Sequence, residues 1–221
     1  MITGIGVISS GRGENLRYII EASRSGYLPA EVRIVLADQK DAGALKIAAE
    51  YEVKGVFVDP AGTSRQDYDR VLLEHLERAD VDLVILTGYM RILSRPFIKR
   101  YRNSILNIHP ALLPAFRGMN AFQRALDHGV KWTGTTIHLV DEEVDHGPIL
   151  YQVPVPVKEN DTYESLKARV QRAEYEAYPA AIKKFIEGKP RVVGRRLLLE
   201  CFETDEPDDI DKSGKVVRMS K

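Results

Sequence analysis

The sequence predicts an α/β fold: a mostly parallel twisted sheet with helices on both faces and antiparallel strands in the C-terminal half. Three observations carry this prediction. Short apolar runs bounded by turn residues alternate with amphipathic stretches through the first half, the pattern of βαβ units. The runs are continuously apolar, as strands covered on both faces must be. After about residue 104 the pattern changes, and two strand-like segments follow each other across a turn with no helix between them.

The elements follow in order. Residues 5–8 form the first strand, ending in a Ser/Gly cluster, and residues 15–25 the first helix. Strands at 32–37, 55–58 and 83–86 alternate with helices at 42–50 and 65–78. Residues 104–107 read as a further strand, followed by a stiff segment, 109–118, that holds Pro110 and Pro114. Residues 133–140 alternate β-branched with other residues, and 149–157 pair with them across the turn at Asp145-His146-Gly147-Pro148. A long helix spans 162–184, with Asp161 as its expected N-cap and an end near Gly188. Residues 191–199 give one or two edge strands, and 203–211, with six acids and a proline, read as a solvated tail. No internal repeat is visible.

A chain of 221 residues suits one domain, or one with a terminal appendage. Hydrophobic residues at 44% provide an ordinary core. Lys+Arg and Asp+Glu both number 32, so no global field recruits nucleic acid or a membrane surface, and any anion site must be local. The single cysteine, Cys201, forms no internal disulfide, which fits a reducing compartment. No basic segment precedes an apolar run at the N-terminus, and no run approaches the roughly 20 residues that span a bilayer. A cytoplasmic protein is expected.

Four segments carry candidate chemistry. Ser9-Ser10-Gly11-Arg12-Gly13-Glu14-Asn15 lies between the first strand and the first helix, where exposed backbone N–H groups and the helix dipole bind phosphate. Leu16 stands where the dinucleotide fingerprint has its third glycine or alanine, so a monophosphate suits this loop better than a pyrophosphate. A plain structural turn is the alternative. Asn107 and His109 share one side of a strand, since side chains alternate with period two. An amide donor beside an imidazole is what acyl transfer requires: one holds the oxyanion, the other moves the proton of the attacking amine. The acidic loop at 141–148 offers a carboxylate to hold a catalytic histidine, or a metal site with His138, though its spacing matches no established ligand motif. An ordinary acidic turn is the third possibility. Residues 88–93, Gly88 to Leu93, put apolar side chains and Arg91 after a parallel strand, as a pocket floor for a flat ring or as core.

In this order and spacing, SGRGENL, GYMRIL, LNIHPALLPAFRG, TGTTIHLVDEEVDHGPI and RVQRAEYEAYP resemble the folate-dependent formyltransferase family, from about Gly6 to Gly188. The glycine-rich loop and the RVQ-x-x-E segment resemble its ribonucleotide-using branch. The resemblance implies a Rossmann-like formyltransferase fold over 1–200, with 1–103 on the phosphate side, 104–200 on the catalytic side, and a tail at 201–221 that is acidic and then basic. It implies formyl transfer from 10-formyltetrahydrofolate, as cosubstrate, to the amine of glycinamide ribonucleotide in purine synthesis. No metal is implied, and the partners are small molecules, with the chain a monomer or homodimer.

By motif, the resemblance implies Asn107, His109 and Asp145 as the catalytic trio. Gly13, Glu14 and Asn15 become the phosphate cradle, with Gln171 and Glu174 beside the ribonucleotide. Arg65, Met90, Arg91, Ile92 and Leu93 fall on the folate side, together with Asn107 and the loop Asp141, Glu142, Glu143, Val144 and Asp145. A cis bond at Leu113–Pro114 is also implied. One departure is plain: Glu14 stands where the family commonly has Ser or Thr, which sets an acid beside a dianion. The nearest rival, a formyltetrahydrofolate hydrolase, would be expected to carry an N-terminal regulatory domain. A tRNA-directed formyltransferase would be expected to carry a larger C-terminal domain. From another class, a dinucleotide-binding module would use Asp38 to grip a ribose.

Overall fold

The computed structural model describes residues 2–200, together with a two-residue antiparallel ribbon of 209–210 with 216–217. In chain order the elements are β1 (Thr3–Ser9), α1 (Glu14–Arg24), β2 (Ala30–Ala37), α2 (Gly43–Glu50), β3 (Lys54–Phe57), α3 (Arg65–Arg78) and β4 (Leu83–Thr87). Then come α4 (Arg95–Arg100), β5 (Ile105–His109), α5 (Ala121–Asp127), β6 (Trp132–Leu139), β7 (Ile149–Pro156), α6 (Tyr163–Glu187), β8 (Pro190–Val193) and β9 (Arg196–Leu199). Cys201 and most of the acidic segment expected to be a solvated tail lie outside the described residues.

Among the described residues one nine-stranded sheet has the order β3-β2-β1-β4-β5-β6-β7-β9-β8. Strands β1 to β5 pair in parallel, as the βαβ spacing predicts. The sheet turns antiparallel at β5–β6 and stays so at β6–β7. Adjacent residues explain why both faces are covered. Val7, Val35 and Ile85 point into one core with Leu16, Ile19, Ile47 and Tyr178 from α1, α2 and α6. Their neighbours Ile8, Leu36 and Leu86 point into the other, with Tyr68, Leu72 and Phe97 from α3 and α4. Burying such side chains contributes about 1.5–3 kcal/mol each, which fixes the strand register.

The long helix starts one residue later than its expected cap. Thr162, not Asp161, is the N-cap: its hydroxyl accepts the Ser165 N–H at 3.2 Å, and the Ser165 hydroxyl accepts the Thr162 N–H at 2.9 Å. Asp161 instead takes both terminal nitrogens of Arg169 at 2.7 Å. Helices α4 and α5, of six and seven residues, were not foreseen, because two turns or fewer show no periodicity to read. Residues 191–199 resolve into two strands, and Leu113–Pro114 is cis, as the resemblance implies.

Candidate active site

A cleft of about 540 Å³ opens at the C-terminal ends of β1, β4 and β5. This is where an open α/β sheet accepts ligands, because the strand order reverses beside β1. Each strand delivers one wall. The turn after β1 supplies Gly11 to Asn15, the turn after β4 supplies Gly88 to Leu93, and β5 itself carries Asn107 and His109. The loop between β6 and β7 supplies Asp141 to Asp145, and α6 adds Gln171, Glu174 and Tyr175. Of the site residues expected from sequence, all line this cleft except Arg65, the first residue of α3.

Asn107 and His109 lie two residues apart on β5, and the antiparallel partner β6 sets His138 opposite Asn107. The loop after β6 then folds back sharply. A Cβ at Gly147 would sit 1.9 Å from the Leu139 carbonyl oxygen, so only glycine permits that return. The return carries Asp145, itself at φ 48°, over the end of β5. Its Oδ2 lies 3.1 Å from His109 Nδ1 and accepts the Gly118 N–H at 2.8 Å. Its Oδ1 faces the Asn107 amide nitrogen at 3.3 Å, and the same nitrogen lies 3.2 Å from His138 Nε2. Because a carboxylate only accepts, the nitrogen end of Asn107 must face it.

The histidines are oriented by oxygen atoms. His138 Nδ1 lies 2.8 Å from the Leu139 carbonyl oxygen and must carry its hydrogen there, which leaves Nε2 to accept from Asn107 in the neutral ring. His109 has an acceptor at each nitrogen: Asp145 at Nδ1 and, at 2.9 Å from Nε2, the Phe116 carbonyl. Both contacts are satisfied together only when both nitrogens carry hydrogen. Burial alone would raise the Asp145 carboxyl. Contacts with His109 and His138, the charge of His109 and the Gly118 amide outweigh that, and hold it well below the usual carboxylate range.

The two ends of the cleft differ in chemistry. At one end Met90, Ile92, Met119 and Val144 line it with more than half of each side chain exposed, an apolar rim that a soluble protein rarely leaves bare without use. Arg91 lies 4.9 Å above the Tyr68 ring there, and Arg95 pairs with Glu142 at 2.7 Å across the mouth. At the other end Gly13 is the N-cap of α1 at φ 76°, and a Cβ on it would meet Ala44 Cα at 2.7 Å. Leu16, at the position where a third glycine was missing, is fully buried in the core. Asn15 donates to Glu174 Oε2 at 3.2 Å, while its own Oδ1 is buried without a partner among the described residues. Burial pushes the Glu174 carboxyl up to about 7, only partly offset by Asn15 and the charge of His109.

Several parts of the site were not legible beforehand. His138 was weighed only as a metal ligand, yet no three His, Cys, Asp or Glu among the described residues are grouped to hold a metal ion. The β5–β6 register that makes it the partner of Asn107 was the missing signal. The Phe116 carbonyl, the Gly118 amide and Tyr175 act through backbone course or helix phase, which no motif states. Asp38 is 5% exposed and does not line the cleft, so nothing places it against a bound ribose.

Comparison with known proteins gives a consistent result. Residues 4–182 match the family described as formyl transferase. A phosphoribosylglycinamide formyltransferase of Haemophilus influenzae is 41% identical over 189 residues, 85% of this chain and 89% of the relative. The crystal structure of glycinamide ribonucleotide transformylase 1 from Symbiobacterium toebii superposes with a TM-score of 0.88 at 45% identity, over 90% of this chain and 94% of that one. A formyltetrahydrofolate deformylase from Pseudomonas syringae pv. tomato shares the fold alone, at 22% identity, TM-score 0.84, and coverage of 90% of this chain and 66% of that one.

Proposed function

Since this chain belongs to the formyl transferase family, we propose that its reaction is the one its relatives are named for: formyl transfer to the amine of glycinamide ribonucleotide, with 10-formyltetrahydrofolate as donor, in purine synthesis. One observation carries the reading. Asn107, His109 and Asp145 converge at the middle of a cleft that is apolar and open at one end and lined by a glycine-rich helix start at the other. A flat ring fits the first end. A phosphate and ribose fit the second, which Asn15 and Glu174 line.

The chemistry follows from the placement. The substrate amine attacks the formyl carbon, a C–N bond to the acceptor forms, and the bond to the carrier nitrogen breaks. Asn107 donates to the oxygen on which charge develops. Its two present contacts, at 3.2 and 3.3 Å, are at or beyond the long end for an N–H donor, so one is readily exchanged. When its Nε2, the nitrogen that Asp145 leaves free, carries no hydrogen, His109 takes the proton from the amine there and gives it to the departing nitrogen. Asp145 fixes the ring through Nδ1. No step needs a metal, because the formyl group arrives activated by its carrier.

The reading extends to small-molecule partners alone, to 1–200 as the catalytic unit, and to a cytoplasmic monomer or homodimer, which fractionation and sedimentation check. The direct test supplies 10-formyltetrahydrofolate and follows its deformylation with and without glycinamide ribonucleotide. Release that depends on the amine, with formylated ribonucleotide as product, is the expected result. Release in its absence at the same rate would make water the nucleophile and the enzyme a hydrolase.

A further inference from the structure

We propose that Arg12 is the cation that holds the phosphate of the ribonucleotide, and that it offsets the carboxylate of Glu14, two residues on. This rests on the proposed reaction for the identity of the ligand. Arg12 and Glu14 flank Gly13 at the start of α1, line the cleft, and are exposed. Neither has an ion pair among the described residues. The backbone of the loop is clamped, since a Cβ at Gly43 would meet the Arg12 carbonyl oxygen at 2.4 Å and one at Gly13 would meet Ala44. What remains free to meet a ligand is the two charged side chains.

Counting charge decides the issue. A helix start offers roughly half a positive charge to an anion. Glu14 alone would turn that into a net negative end and repel a phosphate. With Arg12 the end is net positive again. Of the Lys and Arg residues lining the cleft, the other is Arg91, which lies over the Tyr68 ring on the turn after β4. Both charges at this end reach Tyr175 on α6. Its phenol is raised first by burial and then by Glu14, while Arg12 pulls it back, so the two act on one region in opposite senses. A guanidinium also matches phosphate oxygens bidentately, which an ammonium does not.

The test compares wild type with Arg12→Ala and Arg12→Lys. The alanine variant should raise KM for glycinamide ribonucleotide about tenfold or more, with the lysine variant in between. The kcat at saturation and the KM for the folate should stay within about twofold. With the unphosphorylated glycinamide riboside the variants should match wild type, and the KM gap should narrow at 1 M salt, where the screening length is about 3 Å. Inorganic phosphate should protect the wild type in thermal melts and protect Arg12→Ala less. An unchanged ribonucleotide KM in Arg12→Ala, or an equal loss with the riboside, overturns the proposal while leaving the reaction in place. If wild type transfers no formyl group, the reaction is wrong. The phosphate melts then decide on Arg12 by themselves, and equal protection of the two proteins overturns its role.

Discussion

His109 Nε2 lies 2.9 Å from the carbonyl oxygen of Phe116, a residue held at φ 53°. The nitrogen that meets the substrate in the proposed reaction is therefore bonded, at rest, to the backbone of the segment after β5. The proposed reaction requires that carbonyl to be exchanged for a reacting atom, with the Asp145 contact at Nδ1 kept through the exchange. Removing the ring with His109→Ala is expected to lower kcat by about 10²–10⁴. Asn107→Ala should lower it by about 10²–10³, the usual loss for one oxyanion donor. The triple variant that adds Asp145→Asn should be little worse than the worst single, since the three act on one transition state. Steady-state kinetics decides: losses that multiply would show independent roles.

Asp145→Asn separates charge from shape. The Asp145 carboxyl is held far below its ordinary value of 3.8 by its histidine neighbours. A depressed carboxyl contributes stability that is complete above about pH 4 and is lost as pH falls through the folded value. Chemical denaturation of wild type should therefore show stability declining below pH 4, and Asp145→Asn should flatten that decline. Its kcat should also fall, because the carboxylate that holds the His109 ring at Nδ1 is gone. An unchanged acid limb would mean that the His109 contact adds nothing to stability.

Glu174 works with the opposite sign. Burial raises its carboxyl from 4.5 to about 7, so its share of stability is greatest below pH 4.5 and declines as pH rises to 7. Glu174→Gln should remove that decline and stabilise the protein at pH 8, by up to about 3 kcal/mol on the scale of 1.36 kcal/mol per pH unit. The same variant should weaken ribonucleotide binding. Melting curves at pH 5 and pH 8 check the first part, and KM checks the second.

Glu14→Ser should tighten ribonucleotide binding modestly, about two- to threefold, by removing like-charge repulsion that solvent already screens. Folate affinity should not change. Weaker binding in the variant would show the carboxylate making a favourable contact.

Tyr178→Phe tests the support behind the site. The Tyr178 hydroxyl is fully buried and is shared between the carbonyl oxygens of Leu86, at 2.9 Å, and Leu106, at 3.0 Å. Its loss should cost about 1–3 kcal/mol in urea unfolding. A change below 0.5 kcal/mol would mean that the two strands hold their ends without it.

The parallel half of the fold was readable because its strands are buried on both faces and spell continuous apolar runs, as in residues 83–86. The long helix was readable through Pro179, because the apolar face on either side outweighs one lost hydrogen bond. That Asn107 and His109 face one cleft was readable because they are two apart on one strand, whereas Asp145 was singled out only by the family resemblance. What stayed hidden depends on pairing across the sheet. His138 becomes a neighbour of Asn107 only through the β5–β6 register, and the Phe116 carbonyl reaches His109 only because the chain turns through a left-handed residue. A sequence states periodicity directly, and long-range register only through the whole fold.

The grip of Tyr178 on Leu86 and Leu106 also sets an order of events during synthesis. Strands β4 and β5, the second carrying both Asn107 and His109, leave the ribosome well before α6, which brings Gln171, Glu174 and the hydroxyl that ties those strand ends together. At about 5–20 residues per second, the interval is on the order of seconds. A nascent chain passing through it has its reactive groups but no wall of α6 to shape the ribonucleotide end. Activity therefore arrives late in translation, when the final long helix docks.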